Sequence, residues 1–128
     1  MAIRIVRLGS ERREGEGLRL GTVRRPPRGV PKEQFASRNF YDVWFPNLAP
    51  SAELLKEVQG AGDEAWAIFR KKFLAEMKSP AASKDLDLLA ALSRQTNLAL
   101  GCYCEDESRC HRSLLRELLV RRGAEIVA

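Results

Sequence analysis

The sequence predicts an α/β fold, with a mainly parallel sheet flanked by helices, on three observations. Short apolar and β-branched segments occur near both ends of the chain, the middle has the apolar periodicity of helices, and residues 98–127 run strand, helix, strand. Two strands joined through a helix lie parallel, with a right-handed crossover. Because the chain has 128 residues, we expect one domain over residues 1–128.

The first third of the chain is predicted to hold three strands. Residues 3–8 (IRIVRL) place isoleucine and arginine in the two-residue period of a strand, and residues 18–23 and 40–46 are also rich in strand-forming residues. The charged, glycine-rich residues 9–17 predict a mobile loop. Residues 24–35 contain three prolines and a glycine, so a stiff, irregular loop is expected there.

Three helices are predicted in the middle of the chain. The first covers residues 51–60, with Ser51 as its N-cap and Gly60 as its stop. The second covers residues 63–77 and the third residues 83–95. Large apolar side chains recur at three- and four-residue intervals along the second helix: Trp66, Phe69, Phe73 and Met77. This stripe is typical of a helix face that packs on a core, and we expect that role rather than ligand binding.

The C-terminal unit begins with a nearly continuous apolar run, residues 98–104, which is typical of a strand covered on both faces. The helix that follows has leucines on one face: Leu114, Leu115, Leu118 and Leu119. Gly123 is predicted to end this helix, and residues 125–127 (EIV) to form a short last strand. Ligands of open α/β sheets bind at the carboxyl ends of strands, so the turn before this helix is the expected site.

Composition excludes several classes of protein. Hydrophobic residues make up 45% of the chain and charged residues 30%, as in ordinary globular proteins, and no apolar run approaches the roughly 20 residues of a membrane helix. Residues 1–17 alternate apolar and charged side chains and so lack the pattern of a secretory signal. Three clustered cysteines do not make a disulfide framework. We therefore expect a cytoplasmic protein with reduced thiols and no membrane partner.

The net charge of +5 comes from the N-terminal part of the chain. Residues 1–40 hold ten Arg or Lys against four Glu, whereas the remaining residues hold twelve against thirteen acids. The predicted stiff loop carries a cluster of cations: Arg24, Arg25, Arg28 and Lys32. Arginine offers paired donors that match phosphate oxygens, so the basic loop, residues 24–32, suits phosphate, a nucleotide or nucleic acid. The alternative is a solubilising surface without a partner.

All three cysteines and the only histidine fall within residues 102–111. The start of a helix and the neighbouring arginines favour thiolate there, although three acidic residues in the same turn oppose it. One interpretation is a reactive site, with Cys104 or Cys110 as the activated thiol and His111 as the proton-transfer group. On strand and helix periodicity, Cys102 and Cys104 are expected to share one face, and Cys110 and His111 to point inward.

Two other interpretations of this segment stay open. In one, a tetrahedral zinc site forms, although the spacing within each pair of ligands is unusual for zinc. Its ligands would be Cys102, Cys104, Cys110 and His111. In the other, the cysteines are small apolar core residues and the imidazole bonds a backbone carbonyl. The spacings of phosphatase loops, thioredoxin sites, dinucleotide-binding turns and P-loops are absent from the sequence.

Four blocks, in order, resemble the domain of unknown function 488 family and its YeaO-like members: RRPPRGVPKE, WFPNLAPSAEL, WAIFRKKFLAEM and CYCEDESRCHRSLL. The resemblance covers nearly the whole chain. It implies a compact α/β domain and no particular activity, because the family is named for having none established. It points to Arg24, Arg28, Gly29, Lys32, Trp44, Ala49, Pro50, Ser51, Cys104, Cys110, His111 and Arg112. The chain departs from the YeaO-like pattern at Val23, Pro26 and Phe73, and its C-H-R segment resembles another branch.

These features predict an enzyme, or a degenerate relative of one, that binds a phosphate-bearing substrate such as a nucleotide or nucleic acid. The candidate anion-binding residues are Arg24, Arg28, Lys32 and Arg112. The candidate reactive groups are Cys104, Cys110 and His111. The alternatives are a non-catalytic nucleic-acid-binding module that uses the basic loop, and a structural zinc domain. A single site requires the basic loop to reach the cysteines.

Overall fold

A computed structural model of the protein describes residues 1–58, 60 and 62–127. Within these residues, four parallel strands form one sheet in the order β1-β4-β2-β3. The strands are β1 (Ile3–Arg7), β2 (Leu18–Gly21), β3 (Val43–Trp44) and β4 (Leu98–Cys102). The predicted α/β class and parallel sheet are therefore confirmed.

β4 lies inside the sheet, and each of its residues is buried. Leu100 pairs with Ile5 of β1 on one side and with Leu20 of β2 on the other. Because the crossover connections of a parallel sheet cover its faces, an inner strand such as β4 is buried on both sides and its sequence carries no polar alternation. The continuous apolar run of the sequence thus identified the central strand.

Two of the predicted strands are much shorter than the sequence suggested. β3 keeps only two residues, because the Asp42 carboxylate accepts the Arg19 backbone N–H at 2.8 Å and Pro46 has no N–H to donate. The last strand is reduced to a parallel bridge between Ile3 and Ile126. Through this bridge the segment after α4 pairs with β1 in the parallel direction. The predicted parallel crossover is therefore confirmed.

The helices are α1 (Ala52–Glu57), α2 (Asp63–Glu76), α3 (Pro80–Leu92) and α4 (His111–Arg121). Ser51 caps α1 as predicted, its hydroxyl accepting the Leu54 N–H, whereas Gln59 of the predicted first helix lies outside the described residues. α3 begins three residues before its predicted start, because Ser79 is its N-cap and proline is tolerated at the first helical position. Gly123, with φ of 78°, follows α4 as the predicted stop.

The predicted mobile loop between β1 and β2 is held in place by an ion pair. Arg19 of β2 is fully buried and bonds both carboxylate oxygens of Glu16, at 2.9 and 3.0 Å. Its guanidinium also donates to the backbone oxygens of Ser10 and Asn39. A buried charge with its donors satisfied in this way fixes the backbone that surrounds it.

The core has two parts. The larger one lies between the sheet and the helices and includes Phe73, Leu86, Leu115 and Leu119. A smaller cluster lies at the carboxyl end of the sheet: Leu8, Val23, Tyr41, Cys102 and Cys110. Gly21 permits this second packing, since a Cβ there would lie 2.3 Å from the Tyr41 ring. No helix in the described part of the chain has the length and apolar character needed to cross a membrane.

Candidate functional site

The candidate site lies at the carboxyl edge of the sheet, where the sequence predicted it. β2 continues into Thr22 and Arg24, β4 ends at Cys102, and α4 begins at His111. Because β2 and β4 are parallel neighbours, their carboxyl ends meet at one edge, and α4 starts above them. Residues far apart in the sequence are therefore brought together.

His111 is buried against this edge, as its helical position predicted. Its Nε2 lies 2.6 Å from the Thr22 carbonyl oxygen, so Nε2 carries the proton and donates it to that oxygen. The other ring nitrogen, Nδ1, lies 3.6 Å from the sulfur of Cys110. Burial lowers the pKa of His111 to about 4, so the imidazole is neutral near pH 7, with Nδ1 as an acceptor.

Arg112 is a buried cation without a carboxylate partner among the described residues. One of its terminal nitrogens donates to the Cys104 carbonyl oxygen at 2.5 Å, and its Nε has no hydrogen-bond partner in the part of the chain described. A buried guanidinium needs a negative charge nearby. Although burial alone lowers the pKa of Arg112, interactions with the sulfurs of Cys102 and Cys110 and with the Glu107 carboxylate raise it above its ordinary value.

The three cysteines differ in exposure: Cys102 and Cys110 are buried, and Cys104 is exposed. The protonated thiols of Cys102 and Cys110 stabilise the Cys104 thiolate and hold the pKa of Cys104 well below its ordinary value, and the charge of Arg112 acts in the same direction. The same interaction with Cys104 raises the pKa of Cys102. The arrangement therefore favours one thiolate, on Cys104, beside two protonated thiols.

Cys102 and Cys104 line one cavity, as the strand periodicity predicted, but only Cys102 is buried. β4 ends at Cys102, so Cys104 lies beyond the strand. The chain instead turns before a short 3₁₀ helix, Glu107–Arg109, and the Cys104 side chain reaches the surface. The prediction that Cys110 and His111 point inward is confirmed.

Two cavities adjoin Cys104. The basic cavity has a volume of about 940 Å³ and is lined by Val23, Arg24, Arg25, Pro26, Pro27, Arg28, Phe40, Pro50, Leu55, Cys102, Tyr103, Cys104 and His111. The aromatic cavity has a volume of about 460 Å³, and its lining includes Val58, Trp66, Phe69, Arg109 and Cys110. Both cavities also share lining residues: Pro50, Leu55, Cys104 and His111. The basic loop thus reaches the cysteine cluster.

The predicted anion-binding residues have different environments. Arg24 donates to three backbone oxygens, those of Pro46, Ala49 and Pro50, and so fastens this wall of the site. Arg28 is exposed and lines the basic cavity. Lys32 lies instead in a third cavity, with Trp44 and Asp42. Arg112 is buried beneath Cys104 and faces neither of the cavities at the site.

Sequence reasoning missed two contributions to the site. Thr22 supplies the carbonyl that orients His111, and its position just after β2 was the available signal. Trp66 and Phe69 line the aromatic cavity, whereas Phe73 of the same stripe is buried, as predicted. Periodicity shows which helix face turns inward but does not show where the core ends along that face.

A metal ion could be held by part of the predicted set. The sulfurs of Cys102 and Cys110 and a ring nitrogen of His111 lie within 4.8 Å of one another. Because Nε2 bonds Thr22, the available nitrogen is Nδ1, and its 3.6 Å separation from the Cys110 sulfur suits two ligands of one zinc ion. The group of three does not include Cys104.

Comparison with known proteins places the chain in a family. No curated protein and no solved structure matches it. A family model described as the active DUF488-N3 subclade matches residues 3–123, which is nearly the whole chain. The chain therefore belongs to the DUF488-N3a family, in agreement with the resemblance carried by its four sequence blocks.

Proposed function

We propose that this protein is an enzyme that presents the Cys104 thiolate, as its reactive group, to a phosphate-bearing substrate. The observation that carries the proposal is the position of this sulfur: it is exposed at a wall shared by two cavities, one of which is lined by arginines. A thiolate is the reactive form of cysteine, and an electropositive, accessible setting is typical of reactive thiols. The family description, an active subclade, agrees with an enzyme.

Each neighbouring group has a separate role in this proposal. Arg25 and Arg28 line the basic cavity and hold the anionic group of the substrate. Arg112 stabilises the thiolate from below through its charge and fixes the Cys104 backbone by its hydrogen bond. Arg24 positions the Pro50 wall rather than the substrate.

The neutral imidazole of His111 serves Cys110 in this arrangement. Its Nε2 is committed to Thr22, so Nδ1 is the atom that can accept a proton, and the nearest donor is the Cys110 thiol. The single hydrogen of the Cys110 thiol faces Nδ1, so His111 orients this thiol beside Cys104. The charge of Arg112 helps to keep the thiolate on Cys104.

The proposal is tested by the selectivity of Cys104 for charged reagents. Iodoacetate and iodoacetamide alkylate thiolates by the same displacement but differ in charge, so a cationic cavity favours iodoacetate. The ratio of the two rates, relative to free cysteine, is expected to exceed one and to fall severalfold in Arg28→Ala and Arg25→Ala. Lys32→Ala is the matched control, because Lys32 lies in another cavity. Inorganic phosphate is expected to slow both reagents.

An unchanged ratio in the arginine variants would contradict the proposed anion site. Alkylation of Cys102 or Cys110 before Cys104, read by peptide mass spectrometry, would contradict the assignment of the nucleophile. Both buried cysteines provide internal standards, because unfolding exposes them to the reagent.

The close group of Cys102, Cys110 and His111 supports a second candidate function, the binding of a soft metal ion such as Zn²⁺. Titration with Co²⁺ tests it, because thiolate coordination produces strong charge-transfer absorption. Binding of one equivalent that is lost in Cys110→Ser and kept in Cys104→Ser would favour the metal over the free thiols. The nearby Arg112 cation opposes the approach of a metal ion unless two of the thiols ionise.

A further inference from the structure

The aromatic cavity is a built feature that the proposed chemistry does not use. Trp66 and Phe69 stack with ring centroids 5.6 Å apart and planes inclined by 21°, and both rings are half-buried. Phe69 continues the stack onto the buried Phe73, with centroids 5.9 Å apart, which fixes the pair against the core. A cavity of about 460 Å³ with rigid apolar walls is of the size that holds small ligands.

The aromatic cavity and the basic cavity meet at the reactive sulfur. Cys104 and His111 line both, and so do Pro50 and Leu55 on the opposing segment. A ligand that fills both cavities therefore passes over Cys104. It meets aromatic rings at one end and arginines at the other.

We infer that the substrate is a nucleoside monophosphate, with its base in the aromatic cavity, its phosphate among Arg25 and Arg28, and its sugar over Cys104. This inference rests on the proposed function, since it names the substrate of the same site. Aromatic side chains bind any base through its flat face, and guanidinium groups bind phosphate with paired donors. The ligand class follows because the aromatic cavity favours a base, the basic cavity favours a phosphate, and the two cavities share a wall at Cys104.

Arg109 strengthens the match to a base. Its guanidinium carbon lies 6.0 Å from the centroid of the Trp66 ring, and its side chain is tied to Asp63 on the same helix as Trp66. A guanidinium over an indole adds a cation against which a planar ring can stack. An aliphatic chain offers no flat face to it.

Calorimetric titration of the full chain with adenosine 5′-monophosphate, ribose 5-phosphate and adenosine tests the inference. Both ends of the nucleotide contribute, so it is expected to bind at least about tenfold more tightly than either fragment. Adenosine and ribose 5-phosphate both carry the sugar that lies over Cys104, so the two fragments are expected to compete with one another.

Substitutions in α2 test whether the aromatic cavity is responsible for the tighter binding of the nucleotide than of ribose 5-phosphate. Trp66→Leu is expected to weaken nucleotide binding to the level of ribose 5-phosphate and to leave binding of ribose 5-phosphate unchanged. Ile68→Ala is the control, because Ile68 is exposed on the same helix and does not line the cavity. Phe69→Leu provides a second test of the same wall, should the first variant fold poorly.

The possible results separate this inference from the proposal beneath it. Equal affinity of wild-type protein for the nucleotide and for ribose 5-phosphate would overturn the base subsite and leave the anion site standing. Failure of every phosphate compound to bind or to protect Cys104 would overturn the proposed function itself. A short 5′-phosphorylated oligonucleotide is expected to bind no more tightly than the free nucleotide, and tighter binding would overturn the free nucleotide as the occupant.

Discussion

The Nε2 atom of His111 lies 2.6 Å from the carbonyl oxygen of Thr22, a contact between residues 89 positions apart in the sequence. This single contact fixes the tautomer of the only histidine and directs its free nitrogen to Cys110. It also connects the start of α4 to the end of β2. The end of β2 therefore determines which ring nitrogen of His111 can accept a proton, although no side chain of β2 takes part in the proposed chemistry.

Alkylation of Cys104 is expected to remain fast at pH values where ordinary thiols are protonated. The protonated thiols of Cys102 and Cys110 and the charge of Arg112 lower its pKa, so the thiolate persists below neutral pH. The rate of iodoacetamide modification, followed by mass spectrometry from about pH 5 to pH 9, should be nearly flat across the range. Cys104→Ser should abolish the fast reaction. A rate that rises with a midpoint near pH 8.5, as in free cysteine, would contradict this assignment.

Arg112→Met is expected to raise the pKa of Cys104, because it removes a cation whose charge lowers that pKa. A rise that brings this pKa about one unit above the pH of the assay slows alkylation about tenfold. Arg112→Lys keeps the charge and should retain part of the rate. Arg116→Met is the matched control on the same helix, because Arg116 pairs with Glu107 instead. Equal rates in the Met variants of both arginines would exclude a role for Arg112.

Acidification is expected to destabilise the fold through His111. The unfolded chain binds a proton on this residue below about pH 6.5, whereas the folded protein resists it until about pH 4, so stability falls as the pH drops between these values. From about pH 6.5 to pH 5 the loss is about 1.5 kcal/mol, because the full slope of about 1.4 kcal/mol per unit of pH is reached only about one unit below the unfolded pKa. Urea unfolding at both pH values measures it.

His111→Gln is the comparison for this pH effect. Glutamine keeps an N–H donor for the Thr22 carbonyl but does not titrate. The variant should lose most of the difference in unfolding free energy between the two pH values. A difference as large as that of the wild type would assign the effect to another group. Arg19 and Arg12 hold the pKa values of Glu16 and Asp42 below their ordinary range, so protonation of these carboxylates lowers stability only at more acidic pH.

Alanine variants of Arg24 and Arg28 should distinguish an arginine that stabilises the fold from one that binds phosphate. Arg24→Ala removes hydrogen bonds to the backbone oxygens of Pro46, Ala49 and Pro50 and should lower the free energy of unfolding by about 2 kcal/mol. Arg28→Ala should leave it within about 0.5 kcal/mol of the wild type, because Arg28 is exposed. Urea denaturation of both variants, with phosphate binding measured in parallel, checks the pair. Equal stability losses would contradict the separation.

Local features of the sequence predicted the elements well. The apolar run of β4, the Ser51 cap and the Gly123 stop are signals carried by residues adjacent in the chain. Such signals depend on backbone geometry and solvent exposure, which neighbours along the sequence determine. The short β3 was predicted too long, because its pairing depends on Asp42 and Arg19, which meet only after folding.

The sequence by itself determined the parallel α/β class, the placement of the cysteine cluster at a strand-to-helix turn, and the inward direction of Cys110 and His111. The tertiary structure decided which groups work together. It turned Cys104 outward, committed Arg24 to the backbone, left Arg28 in the cavity and separated Lys32 from it. The physical reason is that periodicity specifies the face of an element, whereas a site is made where faces of distant elements pack. That packing depends on contacts between segments as far apart as Thr22 and His111.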